Sequence, residues 1–229
     1  MECIYLDSLH EDISQIICEG DESRHLKALR LGPGDEIMIT NGRGLSAIAM
    51  IKSLGSKEHE LKIKKLLPGY GEDEFSTGLA IGILRNRDRF EYALEKAIEL
   101  GVKYFIPLVC EHTQFAKFNR KRLESKAIAA IKQCKRSLLP KIYDPVRINE
   151  LFNIEIRNTR FIAAEQDHSS GISSFRNSDF CLIIGPEGGF SENELLFLRE
   201  STNVNFINLG KRRLRAETAA IAGLSRLKL

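Results

Sequence analysis

The stretch FCLIIGPEGGFSENELLFLRE, residues 180–200, decides the fold. Phe180–Ile184 is a continuous apolar run, which reads as a strand buried on both faces. The run stops at Gly185, and Pro186, Glu187, Gly188 and Gly189 form a turn. Ser191 then stands three residues before Glu194, the spacing of a capping box, so a helix opens there. The turn lacks the Lys-Ser/Thr pair of a phosphate loop and the spacing of a dinucleotide fingerprint. Glu187 within it would repel a pyrophosphate. Two adjacent glycines let the backbone approach a flat or uncharged group. A nucleoside-like ligand is therefore expected over a nucleotide, the alternative being a tight turn that holds nothing.

Working outward, strands and helices alternate. LAIGIL (79–84), VKYFIPLV (102–109), RFIAAEQ (160–166) and NVNFINLG (203–210) read as strands. DRFEYALEKAIELG (88–101) has helical spacing and a glycine stop, residues 121–139 form a basic helix ended by Pro140, and RAETAAIAGLSRL (215–227) is a closing helix. This βαβ pattern implies a parallel sheet with helices on its faces. Unusual loops follow three of its strands: AAEQDHSSG (163–171), IGPEGGFS (184–191) and NLGKRRLRAET (208–218). Ligands of α/β proteins bind at such carboxyl ends. Towards the N-terminus, LLPGYGEDEFSTG (66–78) has no periodicity, and before it DEIMITNGRGLSAIAMIKSL (35–54) reads as a hairpin turning at Asn41–Gly44. The expected organisation is a β-rich module over 1–70, a linker over 71–78 and an α/β domain over 79–229.

Composition bounds the function. The 229 residues are 43% hydrophobic and 28% charged, as expected for an ordinary soluble globular protein. No apolar run is long enough to span a bilayer, and the start MECIYLDSLHED does not resemble a secretory signal, so a cytoplasmic location is expected. Five cysteines without a CxxC pair support neither a disulfide framework nor a zinc site, and no metal is expected; Cys110 and His112 read as packing and surface residues. Charge is uneven. Residues 117–141 carry nine basic residues and only Glu124 as acid, and residues 210–229 carry six against Glu217 alone. Two basic blocks flanking the glycine turn suit a polyanion such as RNA, against the plainer reading of solvated helix faces.

LIIGPEGGFSENE (182–194) followed by INLGKRRLRAETAAIAGL (207–224) resembles the 16S ribosomal RNA uridine N3-methyltransferases, a family of the knotted SPOUT-type S-adenosylmethionine enzymes. LEKAIELGVKYFIPL (94–108) and QCKRSLLPKI (133–142) match that family too, and RHLKALRLGPGDEIMITNGRG (24–44) resembles the start of its PUA-like β-barrel. The chain departs from the family pattern at Leu84–Arg85, where a lysine is common, at Arg213, where an apolar residue is usual, and at EHTQFAKFN (111–119).

The resemblance implies an α/β fold: a trefoil-knotted SPOUT-type parallel-sheet methyltransferase domain behind a small PUA-like β-barrel that docks RNA. It implies S-adenosyl-L-methionine as cofactor, 16S ribosomal RNA within an assembled small subunit as substrate, and a homodimer. Backbone groups of Gly185, Gly188, Gly189, Leu209 and Gly210 would hold the cofactor, with Leu214 covering it and Ala164, Glu165, Pro186, Glu187, Arg215, Thr218 and Ala219 around it. Arg215 and Glu217 are the catalytic candidates; Glu217 and Thr218 read equally well as residues of a helix start. Arg24, Lys27, Arg30, Arg43, Lys132 and Arg136 are candidate RNA contacts. Three other readings stay open: a ribose 2′-O-methyltransferase of the same superfamily, a non-catalytic RNA-binding assembly protein, and a small-molecule transferase.

Overall fold

The computed structural model describes residues 1–55, 58–113, 118–154, 156, 159–165 and 178–228. It divides into two compact units. The first comprises Met1–Glu72 and Ile128–Leu139, the second Asp73–Ala127 and Pro140–Leu229.

The first unit contains β1 (Cys3–Tyr5), β2 (Gln15–Cys18), α1 (Gly20–Ala28), β3 (Glu36–Thr40), β4 (Leu45–Leu54) and β5 (His59–Pro68). The strands pair in the order β1-β3-β4-β5-β2. The expected hairpin is present: β3 and β4 are antiparallel, and the Asn41 side chain accepts hydrogen bonds from the Arg43 and Leu45 N–H groups across the turn. Inward positions such as Ile37, Ile39, Ala47, Ala49 and Ile51 alternate along the strands and form one core with Ile4, Leu26 and Leu61.

The second unit contains β6 (Thr77–Gly82), α2 (Arg87–Glu99), β7 (Tyr104–Val109), the first part of α3 (Arg120–Cys134), β8 (Lys141–Ile142), β9 (Val146–Arg147), a 3-10 helix (Ile148–Asn153), β10 (Arg160–Ala164), β11 (Phe180–Ile184), α4 (Glu192–Glu200), β12 (Val204–Ile207) and α5 (Ala216–Lys228). Its sheet runs β12-β10-β11-β6-β7-β8, with β9 also beside β7, and every pairing is parallel. β6 and β11 are buried along their whole length, the expectation for central strands covered on both faces. The capping box of α4 is present: Ser191 Oγ accepts from the Glu194 N–H and the Glu194 carboxylate from the Ser191 N–H.

Two expectations are corrected. The basic helix ends at Cys134, not at Pro140. Lys135 adopts a left-handed φ of 60°, and the Arg136 N–H bonds back to the Ile131 carbonyl, the 6→1 bond of a Schellman stop. The second correction concerns the organisation, since 128–139 groups with the N-terminal unit. There Leu139 N–H donates to the Gly42 carbonyl, Gly44 N–H to the Ser137 carbonyl, and Leu138 N–H to the Glu72 carboxylate.

Candidate functional site

β12, β10 and β11 are neighbours and parallel, so their carboxyl ends lie side by side. Ala164, Ile184 and Ile207 end them, and the three loops singled out from the sequence leave from there. The first loop is described only to Glu165; the rest of AAEQDHSSG lies outside the described residues. Together the loops and the start of α5 enclose a cavity of about 510 Å³, within the roughly 300–1,000 Å³ usual for small-ligand sites.

Of the residues expected around a cofactor, Ala164, Glu165, Gly185, Pro186, Glu187, Gly189, Leu209, Gly210, Leu214, Arg215 and Ala219 line the cavity. Gly188 and Thr218 do not. A Cβ on Gly188 would come within 2.7 Å of the His112 Cβ, so that glycine makes room for a neighbouring side chain rather than for a ligand. His112 Nδ1 lies 3.3 Å from the Gly189 carbonyl and supports the same turn.

Helix geometry sorts the closing segment. Ala216 and Ala219 are one turn apart and both face the cavity. Glu217 and Thr218, between them, point elsewhere. Glu217 is buried off the cavity, with Oε1 3.7 Å from Arg89 Nε and Oε2 without a hydrogen-bond partner among the described residues. It is therefore corrected from a catalytic group to a helix-start acid facing α2. Arg215 remains, exposed and lining the cavity, and its side chain makes no ion pair with a described residue. The sequence reading missed Ile184, Phe190, Leu195 and Ala216, which supply apolar wall. Phe190 and Leu195 were within reach of it, since they flank the start of a helix whose N-terminus faces the ligand loops.

The turn is held from three sides. The Glu187 carboxylate accepts the Arg85 N–H at 3.1 and 3.4 Å, and its carbonyl accepts Arg213 Nη2 at 3.0 Å. The end of β6 is so close that a Cβ on Gly82 would meet Pro186 N at 2.4 Å. Of the departures from the family pattern, Arg213 thus holds Glu187 by its side chain, whereas Arg85 does so only by its backbone. Across the cavity, the Glu165 carboxylate pairs through Oε1 with Arg199, while Oε2 is buried without a hydrogen-bond partner among the described residues. Burial beside Glu194 pushes the Cys110 thiol up to about 12, so it stays a neutral packing group.

The candidate RNA contacts divide as well. Arg24, Lys27, Arg30 and Arg43 are exposed, Arg24 beside Asp21 and Arg43 donating to the Asp7 carbonyl. Lys132 is mostly buried and holds Glu22 at 2.6 Å. Arg136 is only 2% exposed and grips Glu72 through Nε and Nη2, so it is corrected from a phosphate contact to an internal brace. Exposed lysines on β5, namely Lys62, Lys64 and Lys65, were not singled out from the sequence because alternation there reads only as a strand.

A parallel α/β unit thus carries a ligand cavity built from glycine turns, and a β-rich unit precedes it in the chain. A ribosomal RNA small subunit methyltransferase E from Neisseria gonorrhoeae has this fold, with a TM-score of 0.88 over 98% of this chain and 95% of that one at 24% identity. The chain belongs to the RNA methyltransferase family: the model described as the RNA methyltransferase domain matches residues 72–228, and that of the RNA methyltransferase PUA domain matches 19–64. It is 31% identical to the ribosomal RNA small subunit methyltransferase E of Rickettsia conorii, over 99% of this chain and 94% of the relative. A putative methyltransferase of Legionella pneumophila, solved in complex with S-adenosylmethionine, is 27% identical with a TM-score of 0.81 and covers 98% of this chain and 96% of its own.

Proposed function

We propose that the protein methylates N3 of a specific uridine in 16S ribosomal RNA, with S-adenosyl-L-methionine as methyl donor. The observation that carries this is the cavity of about 510 Å³, whose walls are backbone of two glycine turns, apolar side chains and the acid Glu165. Those features fit the cofactor. Leu209, Leu214 and Phe190 offer apolar cover, and the Glu165 side chain offers a carboxylate for sugar hydroxyls. Bound there, the cofactor supplies an electrophilic methyl group carrying a sulfonium charge that disappears on transfer. A water-poor apolar wall favours that loss of charge. Arg215 lines the same cavity, and its guanidinium stabilises the uracil ring as an anion once N3 has lost its proton.

The remaining parts of the reading follow from these. The N-terminal unit, with Arg24, Lys27, Arg30 and Arg43 exposed, docks RNA. The substrate is the assembled small subunit, because the basic turn at the cavity and an extra β-rich unit with its own exposed basic residues offer more surface than one exposed loop requires. The protein works in the cytoplasm as a homodimer through the second unit, and its three ligand loops form a trefoil knot. The start of the closing helix, RAETAAIAGL (215–224), lacks the Asn-bearing start typical of ribose 2′-O-methyltransferases, which favours the base over the sugar.

Mass spectrometry of small-subunit RNA from cells with and without the protein tests this reading. One uridine should lose a methyl group on the base when the protein is absent. Loss of a ribose methyl instead, or no change, would overturn it. Cofactor binding is read separately by calorimetry in EDTA, since the chain has no tryptophan to report it; no heat at high cofactor concentration would count against the enzyme altogether.

A further inference from the structure

A second cavity of about 410 Å³ opens at the carboxyl end of β6 and the start of α2. It adjoins the first through one contact. Arg85, which lines the second cavity, gives its N–H to the carboxylate of Glu187, which lines the first. Its wall combines two phenylalanines, Phe90 and Phe118, with polar groups from Arg87 and Asn119. Phe118 is half-buried, with Arg120 5.9 Å from its ring centre. Asn119 spends its oxygen on capping α3, accepting the Arg122 N–H at 3.1 Å, which leaves its NH₂ group to donate. Glu91 also lines the cavity, but Arg122 binds both its oxygens and Arg87 stands 3.5 Å away, so that acceptor is already used. The exposed Asp88 is the other acid on the wall.

We propose that this cavity receives the target uracil, flipped out of the RNA, stacked on Phe118 and held by donors from Asn119 and Arg87. The inference rests on the function proposed above and names where the substrate base sits. Enzymes that act on a base must take it out of its stack and hold it between aromatic or apolar groups while reading its edge. A methyl donor and its acceptor must also occupy adjoining sites. Uracil presents carbonyl oxygens on both sides of N3, and these accept from a donor edge. Cytosine presents an amino group in place of O4 and meets that edge donor to donor. Phe118 and Asn119 belong to the stretch 111–119, where this chain departs from its family's usual loop, so the recognition is this chain's own solution.

The substrate for the test is small subunits from cells lacking the protein. Phe118→Ala should lower kcat/KM roughly ten- to hundred-fold, the scale of one lost base–aromatic stack, with cofactor affinity by calorimetry unchanged. Phe118→Tyr should restore the rate and Phe118→Leu should not. Asn119→Asp keeps the oxygen that caps α3 but removes the donor, and should cost at least about tenfold with an unchanged melting temperature. A readout independent of turnover is near-ultraviolet crosslinking of the cofactor-free protein to small-subunit RNA transcribed with 4-thiouridine. The crosslinked peptide should contain Phe118. Equal rescue by Leu and Tyr, full activity of Asn119→Asp, or crosslinks confined to other peptides would each overturn the pocket. A protein that crosslinks at Phe118 yet methylates nothing would sink the proposed function while leaving the pocket in place.

Discussion

The two basic blocks of the chain look alike in the sequence and behave differently in the structure. In residues 117–141, the charge is largely spent inside the protein. Arg120 pairs with Asp144, Arg122 with Glu91, Lys126 with Glu95, Lys132 with Glu22 and Arg136 with Glu72. In the turn 211–215, Arg212 and Arg215 line the ligand cavity without an ion pair to any described residue, and Arg213 donates to a backbone carbonyl. The difference teaches that a local charge count does not measure available charge. The acids that neutralise the first block stand 31 to 110 positions away for Arg122 and Lys132, outside any window of sequence. In the second block Lys228, at the far end, pairs with Asp73 155 positions away, but Arg212 and Arg215 at the cavity keep their field for a ligand.

If the first block is internal bracing, removing a brace should cost stability rather than binding. Arg136→Ala is the most severe case. It leaves the Glu72 carboxylate, itself nearly buried, with the Leu138 N–H at 2.9 Å as its remaining partner among the described residues. The expected loss is about 3–5 kcal/mol, the usual cost of breaking a buried pair by removing one partner. Chemical denaturation measures it. A loss below about 1 kcal/mol would show that the pair is not a brace, and the contrast between the blocks would break at its strongest point.

Arg215→Ala probes the other side. No described residue forms an ion pair with its guanidinium, so stability should hold. Single-turnover methylation should fall by roughly two to three orders of magnitude, the effect of about 2–4 kcal/mol of lost charge stabilisation. Cofactor affinity should change little, because a sulfonium gains nothing from a nearby cation. Were Arg215 a structural brace for the cavity loops instead, it would pair with Glu187 or Glu217, but those carboxylates face the Arg85 N–H and Arg89. A drop in melting temperature together with cofactor affinity would revive it.

Glu91→Gln sharpens the comparison through pH. Hydrogen bonding to Arg122, and the nearby charges of Lys126 and Arg87, hold the Glu91 carboxyl below its usual value of 4.5. A depressed folded-state value contributes stability that is present above the unfolded value and lost as pH falls through the folded one. Wild type should therefore exceed Glu91→Gln by about 1–2 kcal/mol at neutral pH, and the gap should close in acid below about pH 4.5. A gap that persists there would mean that shape, not charge, holds this cluster.

What the sequence made legible follows the range of the interactions. The strand, turn and capped helix at 180–200 were readable because apolar runs, glycines and a Ser-Glu spacing are local signals, and so was the hairpin at Asn41–Gly44. Most of the cavity wall was readable for the same reason: loops at the ends of parallel strands carry it. The end of the basic helix was not. Helix-forming residues continue past Cys134, and the left-handed stop at Lys135 goes with hydrogen bonds from 137–139 to residues of the N-terminal unit, a long-range effect. Nor could the sequence separate Glu217 from Arg215, since a two-residue offset turns a side chain to another face only once the helix start is known. Arg213 looked like an oddity against the family pattern, and only coordinates show it holding the Glu187 carbonyl.

The finest test of the contrast uses salt. Each phosphate that a cation neutralises releases about 0.7–0.9 counterion, which appears as the slope of log affinity against log salt. Arg212 lines the cavity without an ion pair to a described residue, whereas Lys132 holds Glu22 at 2.6 Å in the first unit. Arg212→Ala should weaken binding to small subunits modestly and reduce the slope by about one. Lys132→Ala should leave the slope as it is, because that charge never reaches a phosphate, and show itself as lost stability instead. Titrations over a salt series with both variants, at matched cofactor concentration, separate the outcomes. Equal slope changes would mean that Lys132 leaves Glu22 when RNA arrives, and the first block would then be a reserve of charge released on binding rather than one spent in folding.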